Sequence, residues 1–191
     1  MKADITGVIL AGGQSTRMAG KDKGLVMVNQ IPLYRYVLDR LAPQVDTLLL
    51  NANRNIDIYR HSGLRVVSDT LPGFPGPLAG MLTGLQAATT QWVAFAPCDV
   101  PVFPADLVQR LWDGKRDAPA AFASGGGRDH PAFALLNRAL IARLEAFLAQ
   151  GERKVLLFFN RIGAERVIFP VKPPYFHNLN TPLDVLNWAK T

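Results

Sequence analysis

A single cysteine, Cys98, in 191 residues excludes an internal disulfide framework and suits a reducing compartment. No stretch approaches the roughly 18 consecutive apolar residues of a membrane span. The apolar segment near the start is short, has Asp4 before it and a polar loop after it, and so does not read as a secretory leader. The expectation is a cytoplasmic chain with no membrane partner. Lys and Arg outnumber Asp and Glu by 21 to 15 and the isoelectric point is near 9.8. Yet there is no run of five basic residues and no recognisable nucleic-acid module, which argues against nucleic acid and for a phosphate-rich small partner. Two familiar phosphate loops are also missing. Gly20-Lys21 is followed by Asp22 rather than Ser or Thr, so there is no Walker loop, and no G-x-G-x-x-G occurs. Internal repeats, linkers and low-complexity segments are absent as well, and with 49% hydrophobic residues one domain over 1–191 is expected.

What the sequence does have is an organising stretch at 5–24. The apolar residues 5–10 break into Ala11-Gly12-Gly13, followed by Ser15, Thr16, Arg17, Lys21 and Lys23. Two glycines at a strand end let the backbone approach a ligand closely. Exposed amides in such a turn, with one Arg and two Lys behind them, cradle phosphates by donation and charge. The stretch reads as a nucleotide loop.

Beyond it, Leu33, Tyr34, Val37, Leu38 and Leu41 recur at helical spacing after Pro32. Strands are expected at 45–50, ending in Asn51-Ala52-Asn53, at 64–67, ending in Ser68-Asp69, and at 92–96, ending in Pro97-Cys98-Asp99. A short helix at 56–59 and a longer one at 78–88, started by Pro77, separate them. Successive strand-to-helix units imply an α/β fold with a doubly wound, mostly parallel central sheet flanked by helices, whose ligands bind at the carboxyl ends of the strands. In the second half, helical faces are expected at Leu107–Trp112, 140–148 and 155–162, strands at 118–123, 131–136 and 167–169, and a mobile loop at 124–130. Thr181 is placed to cap a final helix with Pro182 at its first position.

The fold gathers the first loop, Asn51, Asp69, the 76–80 turn and Asp99 at one sheet edge. Nucleotidyl transfer needs a triphosphate cradle, cations near the α-phosphate and a metal held by a carboxylate. Asp99, stiffened by Pro97 and Pro101, is the candidate metal ligand, with Mg²⁺ the expected cofactor. Arg17 and Lys23 would meet the phosphates. Asn51, donor and acceptor, and Asp69, acceptor when ionised, suit a base such as guanine that carries an N1–H and an exocyclic amine.

The run Leu10-Ala11-Gly12-Gly13-x-Ser15-x-Arg17-Met18-x-Gly20-x-Asp22-Lys23 closely resembles the signature of nucleotidyltransferases with a glycosyltransferase-A-like (nucleotide-diphospho-sugar transferase) fold. Within them it is most similar to the molybdenum cofactor guanylyltransferase family. The resemblance spans nearly the whole chain through Asn51-Ala52-Asn53-Arg54, Asp69, Gly76-Pro77-Leu78-Ala79-Gly80, Cys98-Asp99-x-Pro101, Arg128-Asp129-His130-Pro131 and Asn178-x-Asn180-Thr181-Pro182. It implies transfer of GMP from GTP to the terminal phosphate of molybdenum-bearing molybdopterin, with release of pyrophosphate. It also implies nucleotide contacts at Leu10, Ala11, Gly12, Gly13, Lys23, Asn51, Asp69, Gly76 and Asp99, and magnesium at Asp99. Catalytic roles fall on Arg17, Lys23 and Asp99. Pterin contacts would come from Arg128, His130, Asn178 and Asn180. The nucleotide half would cover about 1–103 and the pterin half about 104–191. Cofactor-insertion proteins and molybdoenzyme chaperones are implied as partners, and a monomer is expected. Two alternatives stand beside this reading: a CTP-dependent cytidylyl transferase, whose family usually has alanine where this chain has Gly12, and a non-catalytic GTP-binding delivery protein.

Overall fold

The structure, a computed structural model, describes residues 4–12, 22–71, 76–170 and 175–188. Of the residues singled out above, Gly13 and Arg17 lie outside the described residues, as do Ser15, Thr16, Met18, Gly20 and Lys21.

Strand β1 (Ile5–Leu10) is buried along its whole length, as its unbroken apolar run requires for a central parallel strand. After a 3₁₀ turn at Lys23–Leu25, the two-residue strands β2 (Met27–Val28) and β3 (Ile31–Pro32) pair as a small hairpin. The turn residues between them, Asn29 and Gln30, take φ of 48° and 65°, the left-handed pair that a tight hairpin demands. Helix α1 (Leu33–Leu41) follows, then β4 (Thr47–Asn51), α2 (Ile56–Arg60), β5 (Arg65–Val67), α3 (Pro77–Ala87) and β6 (Trp92–Pro97). Next come α4 (Leu107–Gly114), β7 (Ala120–Gly125), β8 (Arg128–Asn137), α5 (Ile141–Ala149), α6 (Val155–Ile162), β9 (Glu165–Ile168) and α7 (Pro182–Trp188).

The seven-stranded sheet has the order β5-β4-β1-β6-β8-β7-β9. Every pairing in it is parallel except those of β8 with β6 and with β7. The chain winds outward from β1 to β4 and β5, then returns to lay β6 on the other flank of β1. That reversal opens a crevice at the carboxyl end of β1. Alternation along the strands splits the core into two layers. Ile5 and Ile9 of β1 join Ala94, Ala96, Phe133 and Leu135 with α1 and α4. Val8 and Leu10 join Val93, Phe95, Ala134 and Leu136 with α3, α5 and α6. A third, small cluster ties α7 to the β2–β3 hairpin through Val28, Leu33, Leu179 and Val185.

Two expectations need correction. Val45 is no strand residue: it ends a 3₁₀ turn over Ala42–Gln44, so β4 begins at Thr47. Residues 124–130 are no open loop. Ser124 and Gly125 complete β7, Arg128, Asp129 and His130 start β8, and only Gly126 and Gly127 turn the chain, at φ of 62° and 76°. Pro131, which has no N–H for a ladder, falls where the β7–β8 register jumps from Ala134 opposite Phe122 to His130 opposite Ala123.

Candidate active site

The crevice holds a cleft of about 280 Å³ lined by Leu10, Ala11, Gly12, Lys23, Asn51, Asp69, Gly76 and Asp99, with Asn178 closing one side. These residues come from the ends of β1, β4, β5 and β6, from the 3₁₀ turn at Lys23, from the start of α3, and from the segment that precedes α7. Every nucleotide residue expected from the sequence and described in the structure is therefore in one place. The first turn of α3 also faces the cleft through Gly76, Pro77 and Gly80. Pro77 has no amide to lose at the first helical position, and the free amides that follow it favour a negative ligand.

On one wall an amide–carboxylate network sets the geometry. Asn51 Nδ2 donates to Asp69 Oδ1 at 2.8 Å and to the Val67 carbonyl at 3.3 Å. Asn53 Nδ2 donates to Asp69 Oδ2 at 2.8 Å, and the Asp69 amide donates back to Asn53 Oδ1 at 2.8 Å. Thr83, inside α3, adds a hydroxyl to Asp69 Oδ1 at 3.2 Å. Asn51 is only 1% exposed, so its amide cannot swing to suit a ligand. Glycine is needed at two points around it. A Cβ on Gly80 would press directly on Asn51 Oδ1, and one on Gly12 would come within 2.7 Å of Asn53 Nδ2.

On the other wall is an ionic centre. Lys23 Nζ donates to Asp99 Oδ2 at 2.9 Å and to Asn180 Oδ1 at 2.8 Å, and Asn178 Nδ2 reaches the same Asp99 oxygen at 3.4 Å. The two charged side chains are 24% and 13% exposed, enough burial to weaken screening by water and salt. The strap that carries both asparagines is pinned by its backbone, since the Leu179 amide donates to the Asp99 carbonyl at 2.9 Å. Asn178 and Asn180, expected at a pterin, thus bear on Lys23 and Asp99 in this structure. Cys98 lines the cleft beside them, but burial pushes its thiol well above the ordinary range, so it is a packed thiol and no nucleophile at neutral pH.

Arg128, His130 and Asn178 line a neighbouring depression that shares Pro77, Pro97 and Ala132 with the cleft. His130 stacks on Phe176 with centroids 4.6 Å apart, and its Nε2 is 3.1 Å from the Gly125 carbonyl. Burial lowers its pKa from 6.5 despite that carbonyl, so the ring is neutral at pH 7 and Nε2 is its donor. Arg128 Nη2 reaches the Phe176 carbonyl at 3.5 Å. Asn53, Thr83 and, at the foot of Lys23, Asp22 with its buried partner Tyr59 are site-supporting residues beyond those expected. Asn53 shares a polar run with Asn51 that signalled it, whereas nothing local to Thr83 or Tyr59 did.

A doubly wound sheet with a glycine-lined strand end, a locked amide–carboxylate wall and a lysine–aspartate pair facing it defines a nucleotidyltransferase. The family model described as the MobA-like NTP transferase domain matches residues 7–164, and the chain belongs to that family. It is 54% identical, over 100% of its own length and 97% of the relative's, to a protein of Yersinia pseudotuberculosis named molybdenum cofactor guanylyltransferase. A protein of Serratia proteamaculans with the same name is also 54% identical, over 96% of its length. Among solved structures, molybdopterin-guanine dinucleotide biosynthesis protein A of Archaeoglobus fulgidus superposes with a TM-score of 0.76 at 22% identity, covering 97% of each chain. A CMP:2-keto-3-deoxy-manno-octonic acid synthetase in complex with CTP superposes at 0.77 with 13% identity and 98% coverage of each chain. Both share the fold.

Proposed function

We propose that this enzyme transfers GMP from GTP to the terminal phosphate of molybdenum-bearing molybdopterin, giving the guanine dinucleotide form of the cofactor and pyrophosphate. The observation that carries it is the whole-length identity of 54% to relatives named for that activity, on a chain whose expected nucleotide residues converge on one cleft. A phosphate oxygen of the acceptor attacks the α-phosphorus in line, and the bond from that phosphorus to the bridging oxygen of pyrophosphate breaks. The nucleophile is already anionic, so no side chain is needed as a base. Catalysis is positioning and charge.

Asn51 and Asp69 present the base-reading wall, with Gly12 and Gly80 leaving room for the asparagine side chains that build it. Lys23 spends two of its three donors on Asp99 and Asn180 and turns the third to a phosphate oxygen, where its charge offsets what develops on the leaving pyrophosphate. The donor set at Asp99 fits Mg²⁺. No group of three or more His, Cys, Asp or Glu that could hold a metal occurs among the described residues, and Mg²⁺ takes one or two carboxylates and fills its remaining positions with phosphate and water. Asp99 would hold such an ion, which would supply charge neutralisation beside the phosphates. Arg128, His130 and Asn178 form the acceptor side, with the neutral imidazole as a hydrogen-bonding surface and no part in proton transfer. Hand-over of the product to cofactor-insertion proteins or molybdoenzyme chaperones is what the family resemblance implies.

The test is a competition. Purified protein with Mg²⁺ and molybdenum-loaded molybdopterin is offered GTP, CTP and ATP together, and the products are read by mass spectrometry beside Asp99→Asn. Guanine dinucleotide from the wild type and none from the variant is the expected result. A cytosine product overturns the base assignment, and GTP binding without turnover returns the delivery-protein alternative.

A further inference from the structure

We infer that Tyr59 and Asn55, which lie outside the cleft, are positioning residues that hold Lys23 at Asp99 through the carboxylate of Asp22. The inference rests on the role just given to Lys23.

Asp22 and Gly24 flank Lys23, and both are locked to α2 or the residue before it. Asp22 Oδ1 accepts from the Tyr59 hydroxyl at 2.6 Å and from the Gly24 amide at 3.2 Å. Its Oδ2 accepts from Asn55 Nδ2 at 3.0 Å. Asp22 is thereby the N-terminal cap of the 3₁₀ turn that begins at Lys23. Tyr59 is fully buried, and its ring meets Tyr34 of α1 edge-on at 5.2 Å, so the hydroxyl is a fixed point. Gly24 is buried against it, and any Cβ there would collide with the Tyr59 oxygen.

A lysine has a long, rotamer-rich side chain, and its aim depends on where its Cα starts and how the flanking peptides are oriented. Here both flanking residues are held by one short, charge-assisted hydrogen-bond cluster, while the ammonium is held at the far end by Asp99 and Asn180. The donor of the shortest bond is a phenol whose ionisation burial and the adjacent carboxylate oppose, so it stays a donor across the working pH range. Asp22 carries a negative charge close to a site built for phosphates, an unfavourable placement unless the carboxylate has structural work to do. Three donors on it supply that work.

Tyr59→Phe removes one hydroxyl and keeps the ring. It is expected to lower kcat about tenfold, since small displacements of a catalytic group have large effects on rate, while KM for GTP changes little and the thermal midpoint falls by several degrees for the lost hydrogen bond to a carboxylate. Asp22→Asn puts an amide N–H against Asn55 Nδ2, and its loss of kcat is at least as large. Combining Asp22→Asn with Asn55→Asp restores the donor–acceptor pairing with the charge moved across it, and most of the lost kcat returns. Crystal structures of Tyr59→Phe and of Asp22→Asn supply a readout independent of any substrate, with Lys23 Nζ expected out of hydrogen-bonding reach of Asp99. Wild-type kcat in both single variants, no recovery in the double variant, or an unmoved Lys23 in the crystals overturns the inference. If the wild type itself transfers no GMP, it is the proposed reaction that fails, and the crystal readout still decides the positioning.

Discussion

Two glycines one turn apart in α3 give opposite predictions for binding while sharing a stability argument. Replacing either Gly80 or Gly84 with alanine gains helix propensity of about 1 kcal/mol. Each also forces a methyl group into filled space. At Gly84 the new Cβ would lie 2.8 Å from Phe95 Cε1 and 3.1 Å from Val8 Cγ2. At Gly80 it would strike Asn51 Oδ1 and lie 3.0 Å from Leu10 Cδ2. Overpacking of this kind costs about 1–3 kcal/mol, so both variants are expected to be modestly destabilised in urea unfolding. Their effects on nucleotide binding diverge. Gly84→Ala presses on core rings and leaves GTP affinity near that of the wild type. Gly80→Ala drives Asn51 off Asp69, and if the displaced pair forfeits one hydrogen bond of about 1.5–3 kcal/mol to the base, GTP affinity falls roughly tenfold to a hundredfold. Isothermal titration of GTP into both folded variants measures the split. Wild-type affinity in Gly80→Ala, or an equal loss in Gly84→Ala, would refute the reasoning that the α3 turn holds the proposed base-reading amide.

Lys23→Ala removes the cation from Asp99 and from the phosphates together. Single-turnover assays are expected to show a fall in kcat of roughly 10²–10³, the scale for a preorganised transition-state donor, with folding retained; a fall below about tenfold would reassign the lysine. For His130, burial lowers the folded pKa below 6.5, so the unfolded chain binds the proton first as pH drops. Stability is therefore lost as pH falls through and below about 6.5. His130→Phe keeps a ring over Phe176 and removes the titration, and thermal midpoints between about pH 7 and 5 should fall less steeply than in the wild type. An unchanged slope refutes the assignment.

Much of the nucleotide half was legible because each parallel strand is a nearly unbroken apolar run ending in polar residues. Ile5–Leu10 and Trp92–Pro97 are the clearest cases, and the sheet order then delivers Gly12, Asn51, Asp69 and Asp99 to one edge by topology alone. The turn end of the β7–β8 hairpin, residues 124–130, was hidden by composition. Three glycines with Arg128 and Asp129 read as a loop, although Gly126 and Gly127 alone turn the chain, and a proline in the strand disguised its period. The β2–β3 ladder is too short to have a period at all. Tyr59 and Thr83 were hidden for another reason. Periodicity reports that a residue is buried, but the partners of these hydroxyls, Asp22 and Asp69, are 37 and 14 residues away, and no local pattern encodes them.

Strand β8 is the one that runs against its neighbours, so it enters the sheet at the edge where the others leave. The nucleotide wall is made of places where strands stop, each followed by a crossover helix that the core depends on. The proposed acceptor wall is made of a place where a strand starts, reached from a two-glycine turn. On the proposed reading, the two substrates are thus served by opposite kinds of strand end. A two-residue turn connects β7 to β8, whereas helices connect the strands of the cleft, so a change of length at Gly126–Gly127 would alter the proposed receiving end without moving a crossover.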